Sequence, residues 1–285
     1  NFSALGDINW YSKGQRRPQL GMLCLIFGAV AIPLYFSCAL AMFSMRNLSA
    51  YKIMLCLAFV DILELCFASI GFGIMSIKGE VYCTHPKLQL LYSLGLECCF
   101  FCSTMSCALL ALNRFGEMLF IRSIVWLFKV FLMFAISFKI QFRVQERVLF
   151  TPPMLFNSKH HMLFFDPMIY EGKFQYDSYI HFGCVVTLPI ISLLLYLLML
   201  FGLLCKYGSI SKMQNSNSLS RATYQIFVQS GVIILIHLTS MLTFQILQFI
   251  PANAIDTMLY VAHVGWMLVH GTPSLIYLAV NDTIR

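Results

Sequence analysis

The chain has 285 residues, 59% of them hydrophobic with 26 Phe, only 11% charged, and a formal net charge of +7. A mean hydropathy of +0.78 is too high for a soluble globule to hide its nonpolar surface. The expected surroundings are membrane lipid rather than nucleic acid. A helix needs about 20 mostly apolar residues to cross a hydrocarbon core of roughly 30 Å. Continuous apolar runs of that kind exclude the alternating pattern of a transmembrane barrel, so the expected class is an all-α membrane protein.

Residues 1–19 form an N-terminal tail expected outside the cell. It starts with Asn rather than Met, which points to a longer open reading frame with any signal peptide upstream. The first span is predicted over Leu20 to Phe43. The second, Met54 to Ile77, carries Asp61 within "LAFVD" and Glu64 one turn later on the same face. A carboxylate near mid-membrane costs about 2.5–3.5 kcal/mol on insertion scales, so Asp61 is expected to face the bundle interior. A protonated, purely structural acid is the alternative role.

The third span is predicted over Leu88 to Leu112, with Glu97, Phe101 and Ser103 along it and Asn113 and Arg114 at its edge. A guanidinium at that edge either snorkels to the interface or serves a partner protein. The fourth candidate, Ile124 to Phe138, has only 15 residues with Lys129 in the middle, and "KIQFRVQER" follows it. A fourth helix drawn over about 124–140 is therefore short or anomalous: tilted, extended by snorkelling, or damaged. Damage, as from a misread exon or a degenerating gene, fits the local loss of pattern better than an adapted helix.

A long outer segment, Lys139 to Ser178, precedes the fifth span at Tyr179 to Cys205. The sixth follows at Tyr224 to Ile250 and the seventh at Ala254 to Val280, with Pro273 and Tyr277 near its end. Residues 1–285 thus read as one domain of seven transmembrane helices. Ten of the 11 cysteines fall in the spans as small packing residues. Cys83 alone sits in an outer loop, and Cys184 is its candidate partner.

With the N-terminus outside, the inner segments hold eight basic residues and two acids, against ten basic residues and six acids outside, or seven with Asp256 at the edge of the last span. The positive-inside rule weakly favours that orientation. The "NFS" sequon at Asn1 would then be open to glycosylation, while "NLS" at Asn47 and "NDT" at Asn281 would face the cytosol.

Seven spans with Arg114 at the inner end of the third resemble G-protein-coupled receptors. In rhodopsin-like members the Arg follows an acid that holds it until activation; here Asn113 takes that place. The resemblance implies that a resting lock needs Glu117, or is absent with higher basal activity. Asp61 and Arg114 are 53 residues apart, and Ser103 lies eleven before Arg114, spacings similar to those of the sodium-holding Asp and Ser. Thr272 stands where that family supplies Asn, so a network of water and hydroxyls around Asp61 is expected in place of a sodium site. Pro273 and Tyr277 resemble the NPxxY ending with two departures, Thr272 for Asn and a Tyr one residue late. A Pro kink that only shapes the helix is the alternative. The outer half of the third helix lines the ligand cavity in such receptors. Glu97 would there meet a ligand, or else serve as an internal partner for His263 or His237.

The chain further resembles the nematode serpentine chemoreceptors, most closely class T. The likeness lies in "PQLG" at Pro18, "IPLY" at Ile32, "YKIMLCLAFVD" at Tyr51, "VYC" ending at Cys83, "LALNR" at Leu110, "FTPPMLFN", "FFDP" and the final "GTPSLIYLAVNDTIR". It covers the chain except roughly residues 121–149. It implies a rhodopsin-like seven-helix receptor in the plasma membrane of sensory cilia. The implied partners are a small chemical ligand and a heterotrimeric G protein, with no enzymatic role and no cofactor. The ligand cavity is expected near Glu97, Phe101, His263 and Trp266, beneath the loop from Phe150 to Tyr179. Asp61, Ser103, Asn113, Arg114, Pro273 and Tyr277 are expected to carry activation and coupling.

Other classes fit less well. A retinal pigment needs a Lys in the seventh span, but the last is Lys212. Pro33, Pro189 and Pro273 do not fall into the two matching halves of a transporter. Protease motifs are missing, and "HH" at His160 lacks further spaced metal ligands. A non-signalling receptor remnant or a polytopic transporter or channel remains the alternative reading.

Overall fold

A computed structural model describes residues 12–44, 49–118, 154–164, 179–207, 221–247 and 255–280. The predicted fourth span and most of the long outer segment lie outside the described residues. The described helices are α1 (Pro18–Ser44), α2 (Ser49–Leu65), α3 (Phe72–Lys78), α4 (Pro86–Met118), α5 (Tyr179–Tyr207), α6 (Arg221–Leu247) and α7 (Ile255–Val280). A π-helical stretch, Cys66–Gly71, joins α2 to α3, so these three pieces form the second span.

Each helix sorts its side chains by what lies beside it. In α1, Gly21, Cys24, Gly28, Ala31, Tyr35, Cys38 and Met42 are buried at intervals of three or four. Val30, Phe36 and Leu40 on its other side stay exposed, as do Leu194 and Phe201 of α5. Polar groups are buried instead: Asp61, Glu64 and Ser103 have no exposed surface. Apolar side chains outward and acids inward is the arrangement that lipid favours and water does not. Among the described residues four helices are long and apolar enough to cross a membrane: Pro18–Ser44, Ala50–Lys78, Pro86–Asn113 and Val186–Cys205. This is the helical membrane bundle anticipated from the apolar runs.

The order of contacts closes the bundle. α1 packs on α2, α3 and α7; α4 lies centrally against α2, α5 and α6; α6 meets α7, which returns to α1. Between α1 and α3 the backbones touch, because Gly21 and Gly73 face each other without side chains. Gly79 ends α3 at φ 66°, a left-handed conformation that costs Gly nothing, and its N–H caps Met75 O. The Arg17 N–H donates to Ser76 O at 2.9 Å, tying the start of α1 to the same turn.

One departure from an all-α chain is a hairpin, β1 (Leu155–Asn157) paired antiparallel with β2 (Met162–Phe164). Its turn is built by Asn157, whose Oδ1 accepts from the Lys159 N–H at 2.9 Å. Met154, Phe156 and Leu163 pack into one cluster with Phe72, Phe100 and Trp266, so the hairpin caps the end of the bundle where α4 begins. Ser158 Oγ accepts from the Gln15 N–H at 3.3 Å, linking the cap to the segment before α1. Cys83, in the short turn Tyr82–Thr84, is a free thiol among the described residues, and the side chain of Cys184, its suggested partner, lies outside them.

Candidate functional site

The centre of the bundle is organised around Asp61. Tyr35 Oη of α1 donates to Asp61 Oδ2 at 2.6 Å, and Ser103 Oγ of α4 donates to Oδ1 at 2.9 Å. His270 Nδ1 of α7 lies 2.8 Å from the same Oδ1. Ser103 Oγ is also 3.3 Å from His237 Nε2 of α6, and His237 Nδ1 is 3.1 Å from Ile233 O. A carbonyl can only accept, so His237 directs Nδ1–H at Ile233 and leaves Nε2 as an acceptor. The one Ser103 proton is then claimed by both Asp61 and His237. A single carboxylate thus reaches α1, α4 and α7 directly and α6 through Ser103.

One turn further along the second span, Glu64 Oε1 accepts from Trp266 Nε1 of α7 at 2.8 Å. Trp266 lies against Phe100, with centroids 5.5 Å apart, and Phe100 meets Phe101 at 5.6 Å. Beside them His263 Nε2 is 3.0 Å from Ala68 O, a carbonyl of the π-helical stretch. The His263 ring stacks on Phe72 at 3.5 Å, and Phe72 meets Phe156 of the hairpin edge-on at 5.4 Å. Two aromatic sets, Phe156 with Phe72 under the hairpin and Phe101 with Phe100 and Trp266 beside Glu64, thus share one packed cluster.

Towards the other end of the bundle, Tyr277 is fully buried with its ring edge-on to Tyr35, 6.1 Å between centroids. Cys107 Sγ lies 3.7 Å from His237 Nε2, and Cys38 Sγ donates to Ser274 O at 3.5 Å. Among the described residues no group of His, Cys, Asp and Glu is arranged to hold a metal ion.

A polar hub inside a helical bundle is compatible with several classes of membrane protein, and comparison with known proteins decides between them. The family model described as serpentine type 7TM GPCR chemoreceptor Srt matches residues 5–285. The chain belongs to the Srt chemoreceptor family. It is similar to serpentine receptor class T-55 of Caenorhabditis elegans, 26% identical over 288 residues that cover 97% of this chain and 75% of the relative. Srt membership makes it a multi-pass membrane protein of a receptor family rather than an enzyme family.

Within this Srt chain the residues named from sequence fall into three groups. Asp61 and Ser103 are in direct contact, and Tyr277 reaches them through Tyr35. Glu97, Phe101, His263 and Trp266 are all buried on the hairpin side of the hub. Asn113 is buried at the far end of α4 and Pro273 lies inside α7. Arg114 follows Asn113 in the same helix, and its side chain lies outside the described residues. Sequence reasoning missed Tyr35, His270 and the pairing of Glu64 with Trp266. The available signal was polarity: an imidazole in an apolar Srt span needs a partner, and Asp61 needed donors.

Proposed function

We propose that this chain is a plasma-membrane chemosensory receptor, N-terminus outside, that binds a small external ligand and signals to a heterotrimeric G protein. The Srt family match over residues 5–285 carries the reading. The hub supports it physically. A ligand entering beneath the hairpin meets Glu97, Phe101, His263 and Trp266, and displacement of Trp266 loads its bond to Glu64, one turn from Asp61. α6 is tied to this centre through the 3.3 Å contact of His237 with Ser103, longer than the bonds that bring α1, α4 and α7 onto the carboxylate. A ligand that favours the arrangement with α6 swung away shifts the population towards it. The cytosolic ends then present Arg114 and the segment from Lys206 to Arg221 to a G-protein tail.

Trp266→Phe keeps a ring in the cluster and removes the donor to Glu64. In cells carrying a G-protein dissociation sensor and exposed to a panel of volatile and lipid-like compounds, it is expected to shift the half-maximal concentration of an active compound about tenfold. Surface delivery should hold. If Trp266→Phe and Phe101→Leu both left the dose response unmoved, the cavity assignment would be wrong.

A further inference from the structure

Away from the hub, a cavity of about 780 Å³ opens between α3 and α4 beside the π-helical stretch. Phe67, Ile70, Ile74, Leu88, Leu91 and Tyr92 form its apolar walls. Ile74 is 40% exposed and Leu91 65%, so its mouth faces the lipid side of the bundle rather than the interior. The volume falls within the range of about 300–1,000 Å³ common to small-molecule sites.

Two features of the wall go beyond apolar packing. Gln89 lines the cavity at 2% exposure, and neither its Nε2 nor its Oε1 has a hydrogen-bond partner. An unsatisfied amide is costly where water is scarce, so such a group marks a place where another molecule supplies the bonds. Lys78 and Glu80 line the same cavity with Lys78 Nζ 3.7 Å from Glu80 Oε1, and their charges cancel.

We propose that this groove binds one membrane amphiphile with an uncharged hydroxyl head on a hydrocarbon body. A hydroxyl donates to Gln89 Oε1 and accepts from Gln89 Nε2, matching both orphaned atoms of the amide. A carboxylate accepts without donating, an ammonium donates without accepting, and the self-neutralised Lys78–Glu80 pair leaves no counter-charge for either. The hydrocarbon body lies along the walls from Leu88 to Cys98, reached laterally from the bilayer. The site is separate from the cavity proposed for the external ligand and does not depend on signalling.

The test uses the purified full chain in phosphatidylcholine nanodiscs, photolabelled with hexadecanol bearing a diazirine. The corresponding acid and the headless hydrocarbon serve as comparison probes, and labelled peptides are mapped by mass spectrometry. The alcohol should label the segments holding Ile74 and Leu88 to Leu91 saturably, at least fivefold above the other two probes. Gln89→Leu should remove the saturable part. Ile74→Trp, which narrows the exposed mouth and leaves Gln89 in place, should do the same, and it decides the matter if Gln89→Leu fails to fold. Equal labelling by all three probes, labelling that never saturates, or wild-type labelling of a folded variant would each overturn the proposal.

Discussion

Asp61→Ala is expected to remove most of the properly folded receptor from the cell surface. The carboxylate is the shared acceptor for Tyr35 and Ser103 and the partner of His270, and all four residues are buried. Hydrogen bonds between membrane helices average only about 0.6 kcal/mol each, so three of them account for roughly 2 kcal/mol. The larger effect is the imidazole left behind. Removing one member of a buried pair costs about 3–5 kcal/mol, because its partner stays buried without compensation. The Ala variant should therefore lose about 3 kcal/mol or more, which lowers the ratio of folded to unfolded chain more than a hundredfold. Asp61→Asn keeps the shape and one acceptor oxygen and should lose less than half as much. Thermal unfolding of the detergent-solubilised chain, read by the loss of its monodisperse peak, would order the two. Equal midpoints for wild type and Asp61→Ala would show that the hub does not hold the helices together.

Gly21→Leu is expected to have the next largest effect, by prying α1 from α3. A Cβ at Gly21 would lie 2.5 Å from Gly73 O and 2.5 Å from Ile77 Cγ1, while one at Gly73 would lie 2.8 Å from Gly21 O. The obstruction is backbone, which cannot rotate away. Small residues at membrane-helix interfaces allow this approach, and overpacking typically costs about 1–3 kcal/mol. Gly28 faces Ser69 on the same seam, and the Arg17 to Ser76 backbone bond spans its hairpin end. A wedge at Gly21 therefore disturbs more than its own contact. Val30→Phe, at a position that is 64% exposed on the other side of α1, adds similar bulk and should leave the thermal midpoint unchanged. If both variants unfolded at the wild-type temperature, the close approach would have no energetic consequence.

The fold was legible because the solvent is written into the chain. Apolar runs such as Leu20 to Phe43 need no partner to be recognised, and α1 covers Pro18–Ser44. The π-helical stretch Cys66–Gly71 was not legible: "CFASIG" has the same apolarity as the regular turns around it, and only the hydrogen-bond spacing differs. The hairpin was equally hidden, since three-residue strands are too short to show alternation and their stability comes from the Phe72 and Trp266 cluster beneath.

The site was legible where the family pattern carried it. Asp61 and Ser103 matched a receptor spacing, and the two side chains meet at 2.9 Å. Tyr35 and His270 had no such pattern, and their contacts with Asp61 cross 26 and 209 residues of sequence. No local period encodes a pairing of that kind. Arg114 was read from its place at the end of the third span, and its role rests on function.

The measurement that tests the receptor reading most directly needs no ligand. With Asn113 uncharged, we take the lock on the neighbouring guanidinium as absent rather than supplied by Glu117, so the unliganded chain should signal above background. G-protein dissociation would be read in cells with matched surface levels of wild type, Arg114→Ala and Asn113→Asp. Basal signal from wild type, abolished in Arg114→Ala and lowered severalfold in Asn113→Asp, is the predicted result. Wild-type chain at the surface that activates no class of heterotrimeric G protein above background, or an Arg114→Ala variant that signals as well as wild type, would contradict it.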